Sequence, residues 1–220
     1  MNQIDHNLPM PAHCLILGGQ KSGKSRHAEA MAVRWLSQPG REAVLIATAQ
    51  AWDEEMQERI ARHRADRAVY ASGLQTVEEP LQLAQAIRRC SAPQRLLVVD
   101  CLTLWLTNYA MPIDVADADE ATGLRARRAE FQAAKLELLA ALQSAQGPVL
   151  LVSNEMGWGV MPMGRAVRAF ADELGLLNQA IAAVCQQVLM VVAGQAVDVK
   201  ALAHNAVHVG NDQGPQPGAH

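Results

Sequence analysis

Aromatic residues are scarce in this chain, with four Trp, two Tyr and two Phe among 220 residues. That scarcity removes the stacking platform on which single-stranded nucleic acids are usually held. Positive charge is not in excess either. Lys and Arg number 19 against 22 Asp and Glu, a formal net charge of −3, so there is no general attraction for a phosphate backbone. Both shortages argue against a nucleic-acid partner. The four cysteines, Cys14, Cys90, Cys101 and Cys185, are too far apart for a C-x-x-C pair, which disfavours a zinc site or a disulfide framework. Free buried thiols in a reducing cytoplasm are the expectation. No apolar run is long enough to cross a bilayer, so no membrane insertion is expected. The first residues lack a basic stretch followed by an apolar core, so no signal peptide is expected.

What the chain has in quantity is apolar residues, 50% of the total, enough for a sizeable core in one domain. Five short runs rich in Val, Leu and Ile read as strands: Cys14–Leu17, Ala43–Ala47, Arg95–Asp100, Val149–Ser153 and Val188–Ala193. Their nearly continuous apolar character fits strands covered on both faces. Helical patterns separate them, at 25–37, 52–64, 80–90, 124–143 and 165–186. Strand and helix in alternation predict an α/β fold, a mainly parallel sheet flanked by helices, with ligands at the carboxyl ends of the strands. Residues 1–12 read as a flexible tail, 13–202 as the folded domain, and 203–220, rich in Gly, Pro, Gln, Asn and His, as a disordered tail. The acidic stretch 110–123 reads as a loop or lid.

The most informative segment is Gly18-Gly19-Gln20-Lys21-Ser22-Gly23-Lys24-Ser25, which fits G-x-x-x-x-G-K-[ST] at every fixed position. A strand pattern precedes it. An amphipathic stretch follows, with Ala28, Met31, Ala32, Trp35 and Leu36 on one stripe. In that context the loop N–H groups and the helix N-terminus cradle phosphate oxygens. Lys24 would reach the β- and γ-phosphates, and the Ser25 hydroxyl would ligate Mg²⁺. Asp100 ends an apolar strand, where a phosphate-loop enzyme places an acid for the metal. The competing role for Asp100 is a cap on the helix that follows.

A third feature is His63, in a stretch with acids at its start and bases at its end. Met56, Ile60 and His63 share a face, which suits a packed core histidine. Arg59, Arg62, Arg64 and Arg67 surround it, which suits a phosphate-receiving site with a nucleophilic imidazole. Spacing alone favours the packed histidine and leaves both open. Asn154-Glu155 and the glycine-punctuated Met156–Pro162 stand at a strand end, a position suited to substrate contact or to a plain connection.

Taken in order, these segments resemble the bifunctional adenosylcobinamide kinase/adenosylcobinamide-phosphate guanylyltransferase family of cobalamin biosynthesis. The resemblance covers about 14–200 and rests on residues 15–29, on Ile46–Ala49, on Asp53–Arg64, on Thr76–Pro80, on Asp100–Asn108, and on Val152–Pro162 followed by Arg165 through Gln179. It implies a P-loop NTPase fold of the RecA-like kind. It also implies phosphorylation of adenosylcobinamide by a nucleoside triphosphate, ATP or GTP, followed by GMP transfer from GTP through a covalent guanylyl-histidine. The matching histidine is His63, with Lys24 as the other catalytic residue. Family nucleotide contacts fall on residues 18–25, on Ala47, Thr48 and Ala49, on Arg64, Ala65, Asp66 and Arg67, on Glu78, and on Asp100. Ser25 and Asp100 match the Mg²⁺ positions. Glu78 is suited in chemistry to the guanine N–H edge. A corrinoid substrate, a homo-oligomer and a cytoplasmic location are implied likewise. The chain departs from the pattern between Arg67 and Thr76, where Ala68–Gln75 lacks the family's proline and tryptophan and carries extra residues. Two further readings are a kinase without the guanylyl step and a GTP-dependent switch acting through a partner.

Overall fold

The computed structural model describes residues 10–51, 54, 57, 58, 61, 71, 73–110, 120–159 and 163–209. Thirteen elements are described, in the order β1 (His13–Gly18), α1 (Lys24–Leu36), β2 (Glu42–Ala47), β3 (Leu74–Glu78), α2 (Leu83–Cys90), β4 (Arg95–Asp100), α3 (Leu102–Ala110), α4 (Glu120–Gln143), β5 (Val149–Val152), α5 (Arg165–Val184), β6 (Gln187–Val192), β7 (Gln195–Asp198) and α6 (Val199–Val209). The strands form one sheet in the order β3-β2-β4-β5-β1-β6-β7. Every pairing is parallel except that of β6 with β7. The expected α/β architecture is therefore present.

Side chains on successive strand residues point to opposite faces, and the core divides accordingly. Leu15, Val44, Ile46, Leu97, Val99, Val149 and Leu151 pack on one face with α2, α3, α4 and α5. Cys14, Ile16, Ala43, Leu45, Leu96, Val98, Leu150 and Val152 pack on the other with α1. This two-sided burial is why the strands read as continuous apolar runs. The helix stripes behave as their spacing predicts: Ala28, Met31, Ala32 and Trp35 of α1 are buried, as are Phe131, Leu138 and Leu142 of α4.

The structure adds elements that the apolar pattern does not reveal. β3 and β7 are edge strands, short and only partly covered, so their sequences carry too little apolar signal. β6 stops at Val192 because Ala193 and Gly194 turn with positive φ, 49° and 78°, a two-residue hairpin that reverses the chain into β7. Helix α4 begins at Glu120, inside the stretch expected to be a loop. Helix α6 runs to Val209, past the expected domain end at 202. At the other end, Met10 packs on the core, and the Ala12 N–H donates to Gln186 Oε1 at 2.7 Å, so residues 10–12 are anchored. Of the expected helix at 52–64, Glu54, Gln57, Glu58 and Ala61 are helical and exposed; Met56, Ile60 and His63 lie outside the described residues.

Candidate active site

The sheet order creates a crevice at the carboxyl edge. The chain leaving β1 passes to α1 on one face, while the chain leaving its neighbour β5 passes to α5 on the opposite face. Diverging connections between adjacent parallel strands leave a cleft suited to a ligand. The phosphate loop stands on one side of this cleft and Asn154-Glu155 on the other. The Glu155 N–H donates to Gly18 O at 3.1 Å across it.

The loop is shaped by its glycines and pinned from behind. Gly23 has φ 103° and forms the left-handed N-cap of α1. A side chain at Gly18 would place its Cβ 2.4 Å from the Val191 carbonyl oxygen, which excludes any residue larger than glycine there without backbone movement. The Gly194 N–H donates to Ser22 O at 2.8 Å, fastening the loop to the β6–β7 hairpin. Lys24 is 8% exposed, and its ammonium donates to Gly19 O at 2.8 Å inside the loop. Ser25 follows on the first turn of α1 and is half-buried, whereas Gly19, Gln20 and Lys21 face solvent.

Strand register places three further expected residues abreast. Glu78 pairs with Ala47, and Ala47 pairs with Asp100 on its other side. Asp100 is level with Val152 of β5, and Val152 with Ile16 of β1. Asp100 is therefore two strand spacings, about 10 Å, across the edge from β1. Both the Asp100 carboxylate and the Lys24 ammonium act electrostatically on the Cys101 thiol. Burial, reinforced by Asp100, pushes that thiol up to about 12, so it remains protonated and is no soft metal ligand.

Four polar side chains hold these strand ends together: Thr48, expected among the nucleotide contacts, and Thr103, Asn108 and Asn178, to which the sequence assigns no role. Thr48 is fully buried; its hydroxyl donates to Cys101 O at 2.7 Å and accepts from Cys101 N–H at 2.9 Å. Asn108, on α3, donates to Thr48 O and to Pro80 O, both at 2.8 Å. Thr103 Oγ1 accepts from the Asn154 N–H at 2.9 Å, and Asn178 donates to Asn154 O at 3.0 Å. The turns after β2, β3, β4 and β5 are thus tied by Thr48, Thr103, Asn108 and Asn178. Thr103, Asn108 and Asn178 are polar positions on helices and Thr48 one just past a strand, and a single sequence does not separate such positions, when buried, from surface ones.

Residues 18–25, Ala47, Thr48, Ala49, Glu78 and Asp100 are accordingly gathered at one edge. His63, Arg64, Ala65, Asp66 and Arg67 lie outside the described residues. Among the described residues, no group of three His, Cys, Asp or Glu side chains converges as a metal cage. The hard oxygens of Ser25 and Asp100 suit Mg²⁺, which takes one or two protein ligands beside nucleotide phosphates rather than a full protein cage.

Fold and loop together define a phosphate-loop, nucleotide-using α/β enzyme. The chain belongs to the family described as cobinamide kinase / cobinamide phosphate guanyltransferase, whose profile matches residues 14–199. It is 45% identical over 186 residues to the bifunctional adenosylcobalamin biosynthesis protein CobP of Pseudomonas aeruginosa, covering 84% of this chain and 96% of that one. It is 36% identical over 190 residues to the bifunctional adenosylcobalamin biosynthesis protein CobU of Escherichia coli, covering 84% of this chain and 98% of that one. The flagellar accessory protein FlaH of Methanocaldococcus jannaschii superposes with a TM-score of 0.47 at 9% identity, over 87% of this chain and 79% of that one.

Proposed function

We propose that this enzyme carries out both reactions of its family on one scaffold, and that the gathered edge of Lys24, Ser25, Asp100 and Glu78 serves both. In the first, the aminopropanol hydroxyl of adenosylcobinamide attacks the γ-phosphorus of a nucleoside triphosphate, ATP or GTP. The γ-phosphoryl is transferred, the hydroxyl proton is lost, and the nucleoside diphosphate leaves. Lys24 neutralises charge on the transferring phosphoryl group, and the N–H groups of residues 19–25 hold the phosphates in line. In the second, a ring nitrogen of His63 attacks the α-phosphorus of GTP. The P–N bond forms as the bond to the β-phosphate oxygen breaks, and pyrophosphate leaves. A phosphate oxygen of adenosylcobinamide phosphate then attacks the same phosphorus, the P–N bond breaks, and adenosylcobinamide-GDP is released with the histidine restored.

The observation that carries this reading is the buried Lys24 in the loop beside the Asp100 strand end, set in a chain that matches the bifunctional relatives over nearly their whole length. Mg²⁺ held by Ser25 and Asp100 would neutralise the triphosphate charge. Arg64 and Arg67 supply cations of the type that receives phosphates, and Glu78 accepts from the guanine edge. The four cysteines are buried and unpaired, in keeping with a reducing cytoplasm, where we place the enzyme as a homo-oligomer.

The test is intact-mass spectrometry after incubation with GTP and Mg²⁺, alongside phosphorylation of adenosylcobinamide by ATP. One added GMP that is lost in acid and kept in base supports the two-step route. Corrinoid phosphorylation without any GMP adduct identifies a kinase alone.

A further inference from the structure

We propose that Trp158 is the platform on which the corrin macrocycle rests while its hydroxyl-bearing arm enters the crevice. This inference rests on the cobinamide reading above. Lys24 is 8% exposed, so a phosphate held by it lies within the crevice, where a macrocycle many atoms wide does not fit. The reacting hydroxyl is at the end of a flexible propionamide-aminopropanol arm, about 9 Å of extended chain at ordinary bond lengths. The ring must therefore remain at the mouth, within an arm's length of the phosphate loop.

The two sides of that mouth differ in chemistry. The phosphate-loop side presents Gly19, Gln20 and Lys21, which are exposed and offer no apolar surface. The other side is the connection leaving β5. There Met156 is 41% exposed, Trp158 74% and Met163 96%. Trp158 is the one exposed aromatic side chain among the described residues. An open indole offers a broad apolar face, and a corrin ring, between its amide arms, offers methyl-fringed apolar surface that can pack on it.

The backbone leading into Trp158 is tied to the phosphate loop. The Glu155 N–H bonds to Gly18 O, and the Glu155 carboxylate accepts from the Gly157 N–H at 2.8 Å, which turns the chain directly before Trp158. Two residues, Met156 and Gly157, separate Glu155 from Trp158, a span of three residue steps and at most about 10 Å of backbone. The backbone tether from the Gly18 contact to Trp158 is therefore no longer than about the reach of the substrate arm. Trp158 thus acts in acceptor binding, and the nucleotide meets the loop independently of it.

Trp158→Ala and Trp158→Phe separate the possibilities when read by steady-state kinetics, corrinoid-free GMP labelling from α-labelled GTP, and molar mass in solution. Trp158→Ala should raise KM for adenosylcobinamide about tenfold, the scale of one lost aromatic stacking partner. KM for the nucleotide and the extent of GMP labelling should stay at wild-type values, and Trp158→Phe should recover most of the corrinoid affinity. Adenosylcobinamide should quench the exposed indole emission of wild type, and the alanine variant should lose that component. An unchanged corrinoid KM in Trp158→Ala overturns the proposal. A fall in molar mass accompanied by loss of every activity also overturns it, because Trp158 is then a contact between copies. Wild-type protein that neither phosphorylates nor binds adenosylcobinamide removes the functional reading itself, a result distinct from either of these.

Discussion

At the scale of single residues, the charge on Lys24 is what the phosphate loop cannot replace. Its ammonium is buried and turned onto Gly19 O, so a bound triphosphate offers it a stronger partner than a neutral carbonyl. Lys24→Ala should depress both transfers by about 10²- to 10³-fold, the usual cost of one donor that stabilises a developing anion. Full phosphorylation of adenosylcobinamide by this variant would exclude the loop as the nucleotide site. Asp100→Asn keeps shape and loses charge, so the Mg²⁺ concentration needed for half-maximal rate should rise more than nucleotide KM does; titration of Mg²⁺ at fixed GTP measures it. On the proposed route only guanylyl transfer passes through His63, so His63→Ala should abolish labelling by α-labelled GTP while sparing ATP-dependent phosphorylation. Labelling that survives in this variant would place the nucleophile elsewhere.

At the scale of elements, the strand ends are held by side chains that reach between them. Asn108 donates to the turns after both β2 and β3. Asn108→Ala leaves the Thr48 and Pro80 carbonyls without that donor, at about 1–3 kcal/mol for each buried group left unsatisfied. Urea unfolding should show that loss as a lower midpoint with an unchanged slope. Gly18→Ala strikes where backbone rather than a side-chain tip stands in the way, 2.4 Å from the Val191 oxygen. Relief requires β1 and β6 to separate locally, so nucleotide binding should suffer together with stability. A Gly18→Ala protein with wild-type GTP affinity would show that the loop tolerates the displacement.

At the scale of the whole molecule, the sheet with its helices also decides how folding responds to pH. His13, at the start of β1, and His27, on α1, both have their pKa lowered below the usual histidine value, chiefly by burial, with Arg34 adding to the effect at His27. The folded state therefore resists protonation at these sites, while the unfolded chain takes protons near pH 6.5. More protons on the unfolded chain means that stability is full above about pH 6.5 and declines as the pH falls through the window below it. A urea midpoint measured from pH 7.5 to 5.5 should drop, and His27→Gln should flatten part of that drop. A midpoint that rises on acidification would contradict the sign.

Elements whose signal is local were legible in the order of residues. The octet Gly18–Ser25 with its flanking strand and helix, the apolar runs of β1, β2, β4, β5 and β6, and the acid at the end of β4 need only adjacent residues to be recognised. Periodicity likewise marked the buried stripes of α1 and α4, because a helix face is set by spacing along one chain. The edge strands β3 and β7 escaped this reading, since half-exposed backbone pairing leaves little apolar trace. That Glu78, Ala47 and Asp100 stand abreast, and that the crevice opens between β1 and β5, follows from strand order. The bracing of one edge by Thr48, Thr103, Asn108 and Asn178 was decided by the tertiary structure. These are facts of strand order and of contacts between residues far apart in sequence. No local pattern encodes them, because hydrogen bonds between distant turns exist only once the sheet has assembled.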